Sequence, residues 1–171
     1  MHPRTFVAVL AMTLMACKGK TDDSANSDPA PEYHLTVDAA HVPAGALKQL
    51  PWLLGTFRGT DLEGTMPDPF FERNVLADDS TLLVLSFHDS TLTGADTTRY
   101  ELRRDSLTNT GDGRYIATAI SADSVAFGPL AGVNNFFTWR RDTDSSWLAF
   151  IYPFDNLTSK RRRYRMTRVT R

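Results

Sequence analysis

Along residues 46–171, apolar positions recur at every second residue in short runs, and most of these runs are closed by Gly, Pro, Asn or Asp. Alternation with period two marks strands that bury one face, because successive side chains point to opposite sides of a sheet. Nine runs are predicted as strands on this basis: residues 52–60, 70–77, 81–88, 98–104, 114–120, 123–127, 136–141, 146–152 and 161–169. Asp78-Asp79, Thr110-Gly111-Asp112-Gly113, Gly128-Pro129 and Asp142-Thr143-Asp144 supply the tight-turn chemistry between them. In the third run, Leu83, Leu85 and Phe87 share one face and Leu82, Val84, Ser86 and His88 the other, and either can be the inner one. In the eighth, Trp147, Ala149 and Ile151 oppose Leu148, Phe150 and Tyr152, which predicts a strand covered on both sides. A helical period is confined to Ala46-Leu47-Lys48-Gln49-Leu50, ended by Pro51. Gly55 and Gly59 inside the first run predict a bend, a bulge or the close approach of another segment. The expected fold is all-β, a single antiparallel β-barrel of about 8–10 strands, with a sandwich as the alternative that the spacing leaves open.

Ahead of this region the pattern is different. A short basic start is followed by the uncharged stretch Phe6-Val7-Ala8-Val9-Leu10-Ala11-Met12-Thr13-Leu14-Met15-Ala16, too short to cross a bilayer as a stable helix and read as a signal peptide. Leu14-Met15-Ala16-Cys17 resembles the lipobox of bacterial lipoproteins, in which the cysteine is acylated and becomes the new N-terminus. The alternative is an ordinary leader with a chance cysteine, but the chain's single cysteine falls where the apolar run stops. Residues 18–45 are rich in Asp, Ser, Ala, Pro and Gly and lack an apolar period, so burial cannot offset their ordering entropy. They are predicted to form a tether with a reach of roughly 30 Å, within which residues 33–37 have the pattern of a short docking strand. The organisation expected is therefore residues 1–16 as a lipoprotein signal peptide, 17–45 as a lipidated N-terminus and disordered tether, and 46–171 as the barrel. Lipid on Cys17 would place the chain in the cell envelope, on its periplasmic or surface side, with the membrane as a partner. Lys18 after the cysteine, where an acidic residue is often linked with inner-membrane retention, tilts the expectation towards the outer membrane.

Composition narrows the chemistry. A hydrophobic fraction of 42% and 19 basic against 20 acidic residues are ordinary for a globular chain and recruit no polyanion, so nucleic acid is not an expected partner. One cysteine excludes an internal disulfide and any multi-thiol zinc site. The sequence contains no phosphate-cradling Gly-rich loop, nucleophile elbow or zincin spacing, so neither cofactor, metal nor catalytic activity is expected. Asn156-Leu157-Thr158 matches a glycosylation sequon that a bacterial lipoprotein has no general reason to use.

Leu50-Pro51-Trp52-Leu53-Leu54-Gly55-Thr56-Phe57-Arg58-Gly59 resembles the opening W-L-x-G-x-W-x-G strand of small lipocalin-like, calycin-type bacterial barrels, with Phe57 in place of the usual Trp. The similarity runs through Phe71-Glu72, Tyr100-Glu101-Leu102, Ala149-Phe150-Ile151-Tyr152-Pro153 and a terminal strand with Tyr164, as in a family of uncharacterised lipocalin-like domains. It implies a barrel fold. Where that family continues with Asn-Pro and His-Asp-Phe-Pro, this chain has Pro153-Phe154-Asp155-Asn156, so no site involving that histidine is carried over. Such barrels hold unrelated ligands or none, so the resemblance implies no activity.

Three groups of residues are candidates for a site. Trp139 and Trp147, with Phe127, Phe136 and Phe137, are fit either to line an apolar cavity or to fill the barrel. Arg162 and Tyr164 share a face, similar to the Arg-x-Tyr pair that grips a carboxylate inside fatty-acid-binding barrels. Their strand is also part of a basic run, Lys160, Arg161, Arg162, Arg163, Arg165, Arg168 and Arg171, suited to anionic headgroups or to pairing with the domain's aspartates. His88 beside Asp89, with Glu72 and Glu101, makes a polar cluster capable of acid–base work, or simply a strand-end histidine beside a turn acid. The leading expectation is a binding module that holds a small apolar or amphiphilic ligand. The second is an interaction protein with a filled barrel and a basic final strand, and the third an enzyme using Glu72, His88 and Glu101. Ligand identity and oligomeric state are not legible.

Overall fold

The computed structural model describes residues 38–109, 114–130, 135–153 and 161–170. The leader, Cys17, most of the tether, the Thr110-Gly111-Asp112-Gly113 turn, Phe154-Asp155-Asn156, the sequon, Lys160 and Arg171 lie outside the described residues. Ten strands follow one another: β1 (Gly55–Asp61), β2 (Phe70–Asp78), β3 (Thr81–Phe87), β4 (Asp96–Arg103), β5 (Ser106–Asn109), β6 (Tyr115–Ser121), β7 (Ser124–Pro129), β8 (Asn135–Arg141), β9 (Ser146–Pro153) and β10 (Arg162–Arg168). Each pairs antiparallel with the next, and β1 pairs with β10, which closes the sheet into a barrel rather than a sandwich. Closure leaves no unpaired edge between these strands.

Two features of the strands depart from the sequence pattern. The predicted run 98–104 and the residues after it form two strands, β4 and β5, joined by the two-residue turn Arg104-Asp105. Both residues have positive φ, 47° and 64°, the backbone of a tight hairpin that Asn-Gly or Asp-Gly normally announces. The first strand begins at Gly55, not at residue 52. Pro51 opens a second 3-10 turn, Pro51–Leu53, after the turn Ala46–Gln49, and its absent N–H falls at a position that has no helical partner anyway.

These turns plug one end of the barrel. Leu47, Leu50 and Leu53 are each at most 2% exposed, and Trp52 donates its indole N–H to Ala122 O at 2.7 Å. Three consecutive plug carbonyls are satisfied by the barrel wall: Arg168 Nη2 reaches Trp52 O at 3.4 Å, Asn74 Nδ2 Leu53 O at 3.0 Å, and Arg168 Nη1 Leu54 O at 2.6 Å. A buried turn end without such donors would leave its carbonyls desolvated and unpaired. The segment before Ala46 packs here as well, so the end of the stretch expected as disordered tether, from Ala40 onward, is instead part of the packed domain. Ala40 N–H donates to Ala117 O and Val42 N–H to Asp105 O, both at 2.8 Å, and Val42 is fully buried.

Arg168 lies under the plug with its guanidinium 5.0 Å from the Phe57 ring centroid. Gly55 makes that position possible. Its φ is +125°, and a Cβ there would overlap the Arg168 guanidinium. Gly55→Ala is therefore expected to lower stability by about 2–4 kcal/mol, through backbone strain and displacement of Arg168. Urea denaturation checks this, and a loss under about 1 kcal/mol would show that the plug adapts.

The plugged half of the interior is filled. Trp147 meets Trp52, Phe57 and Trp139 at centroid distances of 6.5, 5.8 and 5.9 Å, and Leu82, Leu107, Val125 and Met166 complete the layer. On β3 the inner face is Leu82, Val84 and Ser86, in register with Leu76, Asn74 and Glu72 of β2. The outer face of β9 is covered by arginines rather than by another element. Arg140 stacks on Phe150 at 5.0 Å and Arg161 on Tyr152 at 4.8 Å.

Candidate functional site

The end opposite the plug is where the chain leaves β1, β3, β5, β7 and β9, and it carries the longer connections. Interior positions there differ from those below. Phe70, Glu72, Ser86, Thr98, Tyr115, Phe137, Ala149 and Ile151 occupy the inward face, yet all remain partly accessible. Beneath them Phe57, Ala117 and Phe127 are sealed. The open half, the cup, is thus less tightly sealed than the packed layer beneath it, its floor.

Its wall is aromatic. Phe70 lies edge-on to Tyr164 at 5.5 Å, and Tyr115 to Phe137 at 4.8 Å. Phe127 stacks on Phe137 at 4.5 Å, and Tyr100 packs on Phe127 and Trp139. Phe70 takes its place because Gly59, its partner across β1 and β2, carries no side chain. A Cβ at Gly59 would overlap the Phe70 ring.

Glu72 stands in this cup. It is in register with Phe57 on one side and Ser86 on the other, so its side chain projects inward from the middle of β2. Burial raises its carboxyl from an ordinary 4.5 to about 7. Among the described residues the carboxyl has neither a hydrogen-bond donor nor an ion-pair partner. Nearby phenols are tied to asparagines. Tyr100 bonds Asn109, and its ionisation is pushed up first by burial and then by the Glu72 charge. Tyr115 donates to Asn135 Oδ1 at 2.7 Å.

The structure brings only some of the predicted site residues together. Glu72 and Tyr164 both face the cup, and Arg162 occupies the same face of β10 at its rim, where it is exposed. Trp139 and Trp147 point inward but belong to the packed floor, 7% and 2% exposed. Glu101 is a correction. It faces away from the lumen, because Tyr100 and Leu102 take the inner positions, and it is ion-paired with Arg99 and with Arg103 at 2.6 Å. His88 is exposed just beyond β3, next to Asp89, whose carboxylate is held low by hydrogen bonds from the Thr91 hydroxyl and N–H. No Glu72–His88–Glu101 cluster therefore exists. Phe136 faces outward, 38% exposed and stacked on Tyr152 at 4.9 Å, so Phe137 and not Phe136 lines the interior.

The basic run divides in the same way. Arg163 pairs with Glu63 at 2.6 Å and Arg165 with Asp142 at 3.5 Å on the surface, while Arg168 turns inward to the plug. Alternation along β10 assigns Arg162, Tyr164, Met166 and Arg168 to one face. The structural use of Arg168 was not legible, because its carbonyl partners lie 114 and 116 positions away.

No protein-family model matches the chain, and no curated protein matches it. A solved structure described as EF1p2_mFAP2b bound to DFHBI matches over 74% of this chain and 98% of that one, at 15% identity and a TM-score of 0.33, a likeness too low to bear on ligand or activity.

Proposed function

We propose that this barrel is a binding module that receives a small apolar or amphiphilic molecule in the open half of its lumen, and that lipid on Cys17 holds it at a membrane of the cell envelope. The observation that carries the ligand reading is the contrast between a sealed floor and the partly accessible Phe70, Tyr115 and Phe137 around Glu72. Eight strands already enclose enough space for side chains or one small ligand, and ten enclose more. An interior lined mainly by apolar and aromatic side chains with a few polar groups is what small-molecule sites share. The anchor reading rests on the apolar leader that ends at the single cysteine.

One experiment addresses both parts. Native mass spectrometry of the full chain from the envelope fraction is expected to show an acylated mass and a further non-covalent adduct released on unfolding. Cys17→Ser is expected to lose the acyl mass and the membrane association while keeping the adduct. A chain that carries no adduct under gentle conditions, and takes up no apolar probe, would refute the lumen reading. Acylation that survives Cys17→Ser would refute the anchor.

A further inference from the structure

We infer that the ligand is an organic amine, and that the Glu72 carboxylate receives its ammonium group within the aromatic cup. This rests on the lumen being a ligand site and names the chemistry that the site selects. A carboxyl that faces the inside of a barrel, partly shielded from water and with no donor or cation at hand, carries a desolvation cost, and proteins pair or neutralise such groups. Among the described residues the fold supplies neither. The interior arginine nearest the floor, Arg168, is committed to the Trp52 and Leu54 carbonyls and to the Phe57 face. Arg162 is at the rim, exposed. A ligand that brings its own cation satisfies Glu72 where the protein does not.

The wall suits the same group. Ammonium ions are attracted to aromatic faces, the more so when water is excluded, and Phe70, Tyr100, Tyr115, Phe137 and Tyr164 surround the lumen at the level of Glu72 or close to it. The Ser86 and Thr98 hydroxyls, on the inward faces of β3 and β4, are further acceptors for N–H groups. An anionic ligand would meet the Glu72 charge with no inward cation, among the described residues, free to offset it at that depth.

The pH dependence follows from the groups that face this space. From β1 comes Asp61, whose carboxylate is used by the N–H groups of Glu63, Thr65 and Met66, and from β4 come exposed Asp96 and buried Tyr100. β6 contributes Tyr115, and β10 contributes Arg162, Tyr164 and the committed Arg168. Among these, Glu72 is the group whose ionisation burial brings near neutrality.

The test compares 4-phenylbutylamine with 4-phenylbutanol, two probes of nearly the same shape, by calorimetric titration of the full chain at pH 8 and pH 5. The amine remains protonated throughout, so a change between the two conditions reports the protein. At pH 8 the amine is expected to bind about tenfold or more tighter than the alcohol, as a charge-assisted hydrogen bond implies. At pH 5 this preference is expected to shrink, and in Glu72→Gln to vanish while the alcohol still binds. Equal binding of both probes at pH 8, or a preference that persists in Glu72→Gln, would overturn the amine assignment and leave the lumen reading intact. Failure of both probes to bind would overturn both. The wild-type comparison at the two pH values stands without the variant.

Discussion

Arg168→Met is expected to destabilise the barrel by about 3 kcal/mol. The long apolar chain fills the same space, but the Trp52 and Leu54 carbonyls lose their donors and the Phe57 ring loses its cation. Hydrogen bonds to a charged donor contribute about 1.5–3 kcal/mol, and a desolvated cation–π contact about 1–2. For a domain of this size the loss corresponds to a fall in melting temperature of roughly 10 °C. Arg168→Lys retains the charge but offers a single point donor in place of a fork, so it should recover only part of the loss. Thermal denaturation of the three chains decides the matter. A melting temperature for Arg168→Met within about 2 °C of the parent would mean that the plug is held by its leucines and Trp52 alone.

Glu72→Gln is expected to act in the opposite sense, and only at neutral or alkaline pH. Folding raises the Glu72 carboxyl from about 4.5 to about 7, so the folded chain holds a proton that the unfolded chain has released across this window. Stability therefore falls as pH rises from 4.5 to 7, and is flat on either side as far as this group is concerned. A pH unit in that window corresponds to about 1.4 kcal/mol, which sets the ceiling near 3 kcal/mol, and water entering the half-open cup reduces it to about 2. Gln is close to the neutral acid in shape, so Glu72→Gln should match the parent at pH 4 and exceed it by about 2 kcal/mol at pH 8. Urea midpoints at the two pH values test this, and a variant no more stable than the parent at pH 8 would show that the carboxylate finds solvation in the lumen.

Much of the barrel was legible because alternation is a local signal. Leu82, Val84 and Ser86 fall on one face by spacing alone, and the nine predicted runs correspond to nine of the ten strands. What escaped has physical causes. β5 was hidden because Arg104 and Asp105 adopt positive φ without the glycine that usually advertises it. Residues 52–54 read as strand because an apolar run has no period, and Pro51 serves equally to end one turn and to start another. Glu72 was named as a candidate, but its isolation was invisible. Whether a carboxyl has a partner depends on which way Glu101 and Arg162 face, and that is set by pairings across the sheet. His88 was grouped with it by residue type, and its exposure beyond β3 removes it.

The seam between β1 and β10 carries a consequence for how the barrel comes together. Every other pairing joins neighbours along the chain through a hairpin, so those ladders can grow outward from local turns at small entropic cost. The β1–β10 ladder alone joins segments more than a hundred positions apart, and the Arg168 contacts with the plug span 114 and 116 positions of the same gap. Closure is thus the pairing with the largest loop-entropy cost, and a barrel not yet closed has two bare edges, each able to recruit another chain. By fastening β10 to the plug beside β1, Arg168 ties the two ends of that gap together, so the residue that secures the plug also holds the seam on which closure depends.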